Sequence, residues 1–354
     1  MKHASLKHTA LDGLFRYAEF LNFGEFHVKF DPATGLKAIV AVHNLKRGPA
    51  IGGARLIRYP TADAALEDVL RLAYMMSLKA AMSDLPNGGA KAVLIAPKVI
   101  KDRKAYIESF GDFVNTLGGR YVTAIDSGTT PEDMDIIATR TPYVTCTTQH
   151  GEASDVSLNT ALGVVRGIEA SVKYQLHRDD LEDIHIVIQG AGHVGYFLAK
   201  ELTQLGARLT MTDINPAALQ KVVDEFGVKT CAPDEVFDIA ADVFAPCALG
   251  SILNIETIKR LKVKVIAGSA NNQLAHHHQS LMLHERGILY APDFVINAGG
   301  LIFASAMYDH NDLTKAKAQV DRIYQILMDI YDKSTRENRM TTEIAEEIAI
   351  SRLK

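Results

Sequence analysis

The feature that most constrains the fold is an apolar run that ends in three spaced glycines. It reads Ile184-His-Ile-Val-Ile-Gln-Gly190-Ala-Gly192-His-Val-Gly195, and residues with helical spacing follow it. A strand, a glycine-rich turn and a helix in this order are typical of dinucleotide-binding βαβ units. In such units Gly190 makes the tight turn, Gly192 lets main-chain N–H groups approach a pyrophosphate, and Gly195 permits close packing of the helix on the strand. A glycine-rich turn without a nucleotide is the alternative.

An acidic residue at the end of the next strand completes this pattern. Asp213 stands where a carboxylate can accept hydrogen bonds from both ribose hydroxyls. It would repel a 2′-phosphate, and Ile214 and Asn215 add no cation beside it. The sequence therefore predicts NAD rather than NADP. The predicted cofactor-binding loop comprises Gly190, Ala191, Gly192, His193, Val194 and Gly195.

Strands and helices alternate regularly from about residue 155. Short apolar strands are predicted at 184–188, 208–212, 242–245 and 263–267, with helices before and between them. This alternation predicts a parallel, doubly wound Rossmann sheet.

The preceding part mixes strands and helices less regularly. Strands are predicted at 35–43, 89–95 and 121–125, helices at 61–82 and 103–117, and a further helix begins at Pro131. Gly52-Gly53 is expected to punctuate the chain after the first strand. The predicted fold class is α/β with a mixed-sheet domain and a Rossmann domain. Because the helical tail (314–332 and 341–353) could return to the first domain, the domains are expected at 1–148 plus 331–354 and at 149–330.

Composition excludes several functional classes. A length of 354 residues suits about two domains, and the net charge of −4 gives no general attraction to nucleic acid. No apolar run is long enough to cross a membrane, and the start of the chain lacks the apolar core of a secretory signal. Three cysteines without paired spacing predict reduced thiols and a cytoplasmic location. The run His276-His277-His278 predicts a solvated helix start rather than a metal site.

Two lysines lie among apolar residues in one short stretch. Lys79 ends a helical segment and Lys91 begins an apolar strand, with Pro86-Asn-Gly-Gly-Ala between them. A buried ammonium must find an anion or give up its proton. One lysine could therefore hold a carboxylate while the other transfers protons. The alternative is that both ammonium groups reach the surface from apolar stems.

An aspartate follows the strand at 121–125. Side chains at the carboxyl ends of strands in α/β proteins often have a function, so Asp126 is a candidate proton acceptor or electrostatic partner of a lysine. The alternative is that Asp126 caps the helix at Pro131, although Thr129 and Thr130 are closer to that helix.

At this point the chain resembles the amino-acid (Glu/Leu/Phe/Val) dehydrogenase family, and within it the leucine, valine and phenylalanine branch, most closely leucine dehydrogenase. Seven segments carry the resemblance: Thr34-Gly-Leu-Lys-Ala-Ile-Val-Ala-Val-His, Gly48-Pro-Ala-Ile-Gly-Gly-Ala-Arg, Asn87-Gly-Gly-Ala-Lys91, Asp126-Ser-Gly-Thr-Thr, Pro246-Cys-Ala-Leu-Gly, Gly268-Ser-Ala-Asn-Asn-Gln and Ile296-Asn-Ala-Gly-Gly. The resemblance implies reversible, NAD-dependent oxidative deamination of an L-amino acid to its 2-oxo acid, with release of ammonia.

The resemblance also implies a role for each candidate residue. By it, Lys79 holds the substrate α-carboxylate, Lys91 activates water and Asp126 shuttles protons. Gly52, Gly53 and Met76 would line the substrate pocket, Thr160 and Asn272 would position the nicotinamide and substrate, and Cys247 and Ala248 would contact the cofactor. The first domain would bind substrate and form a homo-oligomer, either a dimer or an octamer.

Four positions bear on the choice of amino acid. Glutamate-specific members of the family place a lysine at Ile51 and a serine at Ala304, so the apolar residues here argue against glutamate. Leucine-specific members combine an alanine at Ala124 with valines at Leu301 and Ala304, whereas Leu301 is typical of phenylalanine-specific members. The resemblance therefore implies a branched-chain substrate (leucine, valine or isoleucine), with phenylalanine as the alternative.

Two departures from the family pattern are visible. Ile125 replaces an acidic residue, and the loop from Glu152 to Thr160 lacks the usual prolines. From another functional class, a non-catalytic NAD-binding regulatory protein is a further alternative, but the presence of Lys79, Lys91 and Asp126 argues against it.

Overall fold

A computed structural model describes residues 18–19, 21, 23–149, 151, 155–248 and 250–354. By their contacts these residues form two compact units. Unit 1 comprises the described residues within Met1–Asp155, Ala304–Leu313 and Ala349–Lys354, and unit 2 comprises those within Val156–Phe303 and Thr314–Ile348. No helix of the described residues is both long and apolar enough to span a membrane.

Unit 1 contains a mixed sheet, as the sequence predicts. It has five strands, two more than the three predicted ones. Its order is β1-β2-β4-β3-β5, and β3 runs parallel to both β4 and β5, whereas the pairs β1–β2 and β2–β4 are antiparallel. The strands are β1 (Glu25–Asp31), β2 (Leu36–Asn44), β3 (Ala50–Ile57), β4 (Gly88–Ile95) and β5 (Tyr121–Ile125), and the helices are α1 (Ala62–Met82), α2 (Arg103–Thr116) and α3 (Pro131–Ala138).

Helix starts in unit 1 follow from their capping residues. The Thr61 hydroxyl accepts from the Ala64 N–H at 3.1 Å, so α1 begins where predicted. Thr130 and Asp133 form a capping box, with Pro131 in the first turn of α3. One expectation needs correction: Gly52-Gly53 does not interrupt the chain but lies inside β3. The close approach of the neighbouring strand requires glycine there, because a side chain at Gly52 would place its Cβ 1.7 Å from the Ala90 carbonyl oxygen.

Unit 2 contains a parallel six-stranded sheet of order β11-β10-β9-β6-β7-β8. This is the strand order of the classical dinucleotide-binding fold. Its strands are β6 (His185–Gln189), β7 (Arg208–Thr212), β8 (Lys229–Thr230), β9 (Val243–Pro246), β10 (Val265–Ile266) and β11 (Leu289–Tyr290). Its helices are α4 (Val156–Leu176), α5 (His193–Gln204), α6 (Pro216–Phe226), α7 (Ile255–Arg260), α8 (Gln279–Glu285) and α9 (Asp293–Ile296).

Three helices complete the chain, namely α10 (Gly299–His310), α11 (Leu313–Glu337) and α12 (Thr341–Leu353). The contact units and the predicted domains differ in their limits. Residues 331–348, expected with the first domain, group with unit 2, and Ala304–Leu313, expected with the second domain, groups with unit 1. The buried Tyr331 hydroxyl lies 2.8 Å from the Ser171 hydroxyl of α4, which holds α11 there. Which unit binds substrate and which binds cofactor stays a prediction.

Candidate active site

The strand register of unit 1 gathers the candidate residues on one face of the sheet. Neighbouring residues of adjacent strands point to the same side, and alternate residues of one strand do so too. Ile51 lies beside Gly89 and Val122, and Ala124 lies beside Gly53. The face therefore carries Ile51, Gly53 and Arg55 from β3, Gly89, Lys91 and Val93 from β4, and Val122, Ala124 and Asp126 from β5 and the residue after it.

Lys91 is buried in the middle of this face, with 6% of its surface exposed. Its Nζ lies 2.8 Å from Oδ2 of Asp126. The aspartate therefore supplies the anion that a buried ammonium needs. The alternative in which Lys91 reaches the surface does not hold.

Arg55 also contacts Asp126, although the sequence patterns predict no role for Arg55. Its Nε donates to the same Oδ2 of Asp126 at 3.0 Å, and its Nη1 donates to Oδ2 of Asp68 at 3.0 Å. A signal was present in the sequence, because Arg55 is the charged residue of a strand otherwise made of apolar residues and glycines. Such a residue needs a specific anionic partner.

Asp126 is held as a carboxylate. Burial raises its pKa, but the Lys91 ammonium and the Arg55 guanidinium together lower it by more than burial raises it. The pKa of Asp126 therefore lies well below the usual range. Asp126 does not cap α3, since the Thr130 hydroxyl accepts from the Asp133 N–H. Of the two roles predicted for Asp126, these contacts favour the electrostatic partner of a lysine.

Helix α1 covers part of the same face. A Cβ at Gly89 would lie 2.1 Å from the Ser77 nitrogen, so the end of α1 packs directly on the start of β4. Lys79 and Met76 are half-buried near this contact. The predicted carboxylate anchor Lys79 therefore lies on the helix that packs against the strand of Lys91.

The predicted specificity positions are apolar and buried. Ile51 is 1% exposed, Ala124 6% and Ala304 3%, all in unit 1, and Leu301 of unit 2 is 8% exposed. The Thr145 hydroxyl donates to the Ala304 carbonyl oxygen at 3.2 Å. The Thr145 N–H donates to the carbonyl oxygen of Thr123, which precedes Ala124 in β5, at 2.9 Å. These bonds hold Ala304 near the strand of Ala124.

In unit 2 the glycine-rich turn lies where the strand order reverses, between β6 and β9. Crevices at such switch points are where ligands bind in open α/β sheets. Gly190 has φ +109°, and a Cβ there would lie 2.9 Å from the Ala248 nitrogen and 2.9 Å from the Cys247 carbonyl. The register of β6 and β9 thus brings Cys247 and Ala248 against the turn.

Asp213 is fixed beside the same turn. Its Oδ2 accepts from the Ala191 N–H at 2.6 Å and its Oδ1 from the Asn215 N–H at 2.7 Å. Gly192 is the N-cap residue of α5 and has no side chain to bond the first N–H groups of the helix. A Cβ at Gly192 would meet nothing within 4 Å. Open space before a helix start, with a carboxylate at its side, fits a dinucleotide.

The two remaining candidates of unit 2 are placed as follows. The Thr160 hydroxyl donates to the Val156 carbonyl in the first turn of α4, and a Cβ at Gly300 would lie 2.7 Å from it. The Asn272 carbonyl accepts from the Ser251 N–H at 2.6 Å, which places Asn272 beside the loop after β9. Residues 152–154 of the loop before Thr160 lie outside the described residues.

The histidine run precedes a helix, as predicted. His276 and His278 stack on one another, and His277 lies 3.7 Å from Glu346. Within the described ranges, no group of three or more histidine, cysteine or acidic side chains could hold a metal ion.

Comparison with known proteins adds the following findings. Residues 22–143 match the family described as Glu/Leu/Phe/Val dehydrogenase, dimerisation domain, and residues 210–351 match Glutamate/Leucine/Phenylalanine/Valine dehydrogenase. The chain is 42% identical to leucine dehydrogenase of Bacillus cereus over 342 residues, which cover 96% of this chain and 93% of that protein. It is 40% identical to phenylalanine dehydrogenase of Bacillus thermotolerans, over 92% of this chain and 86% of that one. The crystal structure of L-tryptophan dehydrogenase from Nostoc punctiforme is similar with a TM-score of 0.81 and 36% identity, over 96% and 98% of the two chains.

Proposed function

The chain belongs to the Glu/Leu/Phe/Val dehydrogenase family, and from this premise we propose that it is an NAD-dependent dehydrogenase of branched-chain L-amino acids. The reaction consumes the amino acid, NAD and water and yields the 2-oxo acid, ammonia, NADH and a proton. The observation that carries the proposal is the buried contact between Lys91 and Asp126, on the sheet face that also carries the apolar Ile51 and Ala124.

The proposed chemistry divides the work between two lysines. When bound, NAD would supply the acceptor for the hydride that leaves Cα of the amino acid. Lys79 holds the α-carboxylate, so that Cα is presented in one orientation. Lys91, as the free amine, removes a proton from the water that attacks the iminium carbon. The resulting Lys91 ammonium returns that proton to the amino group, and the C–N bond breaks to release ammonia. The Lys91 amine then takes the proton of the hydroxyl that came from water, so that the C=O bond of the 2-oxo acid forms, and it releases this proton to solvent. Asp126 stabilises the charged form of Lys91 by the contact described above.

The apolar side chains support an aliphatic substrate. Ile51 and Ala304 offer no cation or hydroxyl to a distal carboxylate, and burying such a carboxylate unpaired would cost several kcal/mol. Leu301 keeps phenylalanine as a second candidate, because the resemblance associates a leucine at this position with phenylalanine-specific members. One methylene is worth about 1–3 kcal/mol of discrimination, so neighbouring aliphatic substrates are expected to react as well.

A substrate panel tests this proposal directly. Purified protein is supplied with NAD and, in turn, with leucine, valine, isoleucine, phenylalanine and glutamate, and NADH formation is followed by absorbance. We expect the highest kcat/KM with a branched-chain amino acid. A higher value with phenylalanine would favour the second candidate. Retained NAD binding without turnover of any amino acid would favour a non-catalytic NAD-binding protein.

The choice of NAD over NADP is proposed to rest on Asp213. Replacing Asp213 with alanine removes a charged acceptor for the ribose hydroxyls, which should weaken NAD about 10–100-fold. It also removes the charge that would repel a 2′-phosphate, so the ratio of the two affinities should move towards NADP. Calorimetric titration with NAD and NADP measures both dissociation constants.

The matched variant is Asp213→Asn, which keeps an acceptor for the Ala191 N–H but loses the charge. It should shift the NAD-to-NADP ratio in the same direction, with less change to the loop. An unchanged NAD affinity in Asp213→Ala would mean that the ribose is held elsewhere.

We also propose that β1 forms the interface with a second copy of the chain. This strand lies at the edge of its sheet and exposes three apolar side chains on one face, with Phe26 38%, Val28 66% and Phe30 60% exposed. Exposed edge strands readily pair with another strand. The family match over residues 22–143, described as a dimerisation domain, includes β1 and supports the proposal.

The double variant Val28→Lys with Phe30→Lys should therefore shift the protein to a smaller oligomer, as measured by light scattering after size-exclusion chromatography. Charged side chains on an edge strand oppose pairing. Val99→Lys is the control, because Val99 is 73% exposed in the same unit and lies outside β1. An unchanged mass for the double variant would show that the copies meet elsewhere.

The state of the cysteines fits the proposed cytoplasmic location. Cys146, Cys231 and Cys247 are all free thiols in the structure. Unpaired thiols are typical of proteins in reducing compartments.

A further inference from the structure

The side chain of Arg55 contacts Asp126, but none of the reaction steps proposed above gives Arg55 a role. It is 18% exposed and bridges two carboxylates, Asp126 and Asp68. Asp68 in turn accepts from the Tyr59 hydroxyl at 2.6 Å and from Arg71 at 2.9 Å. The half-buried network thus begins at the surface with Arg71 and ends at Lys91.

One oxygen of Asp126 is shared by two cations. Lys91 Nζ lies 2.8 Å and Arg55 Nε 3.0 Å from the same Oδ2. The two cations therefore lie within about 6 Å of each other, a range in which one charge changes the protonation of another. The carboxylate attracts both, and each cation weakens the hold of Asp126 on the other.

We propose that Arg55 is a positioning residue that sets the pH at which Lys91 becomes a base, by sharing Asp126 with it. The proposal rests on the proposed function, in which Lys91 must be a free amine to activate water. Without Arg55, Asp126 would hold the Lys91 ammonium with its full charge. Asp68 also pairs with Arg55 and so weakens the electrostatic attraction between Arg55 and Asp126.

The groups that face Asp126 agree with this sharing. Burial raises the pKa of Asp126, but the two cations lower it by more, so that the pKa lies well below the usual range. Burial also raises the pKa of Asp68, while the Tyr59 hydroxyl, Arg55 and Arg71 bring it below its usual value, so both carboxylates stay charged. Three charged or titratable groups of the described residues act on Asp126 directly, namely Lys91 from β4, Arg55 from β3 and Tyr121 from β5. Arg55 links it to Asp68 of α1, which Arg71 of α1 and Tyr59 from the loop before α1 contact in turn.

Two substitutions should move the pH profile in opposite directions. Arg55→Met removes a positive charge, so Lys91 holds its proton more firmly, and the rising limb of kcat/KM for oxidative deamination should move about one pH unit higher. Asp68→Asn removes a negative charge, so Arg55 acts more strongly on Asp126, and the same limb should move to lower pH. The amide oxygen of the new asparagine would still accept from the Tyr59 hydroxyl. A purely structural role would not move the limb in opposite directions.

The experiment measures kcat/KM from about pH 6 to about pH 11, in steps of roughly half a unit, in both variants and in Arg140→Met. Arg140 pairs with Asp112 on the surface of the same unit and should leave the profile unchanged. The proposal would be overturned if the rising limb of kcat/KM lay at the same pH in folded Arg55→Met and Asp68→Asn as in the unmodified protein. Shifts of this limb in the same direction in both variants would overturn it as well. If Arg55→Met does not fold, the sign of the Asp68→Asn shift decides.

Failure of this inference can be told from failure of the proposed function. If the unmodified protein oxidises no amino acid, the proposed function itself is wrong. If it does so with a normal bell-shaped or rising profile that the variants leave in place, only the role of Arg55 is wrong.

Discussion

Replacing Lys91 with methionine is expected to lower kcat by about 10²–10⁴-fold and to leave the affinity for NAD unchanged. General base catalysis by a positioned side chain contributes about that much, and methionine keeps the volume of the lysine stem without a group that can take a proton. The fold should tolerate the change, because Asp126 retains its contact with Arg55 at 3.0 Å and is not left as an unpaired buried charge. Steady-state rates with leucine, together with calorimetric titration of NAD, measure the two effects.

Two further variants separate charge from proton transfer. Lys91→Arg keeps a cation beside Asp126, but arginine does not lose its proton at accessible pH, so its rate should stay low. Lys104→Met serves as the control, since Lys104 is 74% exposed on α2 and pairs with Glu108 at the surface. A near-normal kcat in Lys91→Met, or recovery of the rate in Lys91→Arg, would remove Lys91 from the role of base.

Local chemistry explains which parts of the structure are predictable from the sequence. Strand β7 and helix α12 begin and end at the predicted residues. The glycine-rich turn and Asp213 are equally local to one βαβ unit. Their contact, Asp213 with the Ala191 N–H, is therefore the contact expected of the motif.

The parts that were missed depend on the register between distant strands. Arg55 meets Asp126 only because β3 and β5 are neighbours, although 71 positions separate the two residues in the chain. The glycine pair Gly52-Gly53 likewise predicts a break when only local sequence is considered, whereas pairing with β4 and β5 makes it part of β3. Periodicity cannot show which strands become neighbours, so it cannot show which charge meets which partner.

The last prediction concerns Gly53, which leaves room for both groups of the Lys91–Asp126 contact. A Cβ at this position would lie 2.6 Å from the Ile125 carbonyl oxygen, 2.8 Å from Asp126 Cβ and 3.2 Å from Lys91 Nζ. Gly53→Ala must therefore displace Asp126 and its partner by some tenths of an ångström or more. We expect kcat/KM to fall by about 10²-fold, because displacements of about 1 Å at a catalytic group have effects of this size. NAD affinity should not change.

Gly24→Ala is the matched control for steric strain alone. A Cβ at Gly24 would meet main-chain oxygens of Val42 and His43 at 3.1 and 3.3 Å, in the same unit but away from Lys91. It should lower the melting temperature without lowering kcat/KM, whereas Gly53→Ala should lower kcat/KM in protein that is still folded at the assay temperature. If folded Gly53→Ala retained normal kcat/KM, the close contact of Lys91 with Asp126 would not be what catalysis requires, and the electrostatic role given to Asp126 would have to be abandoned.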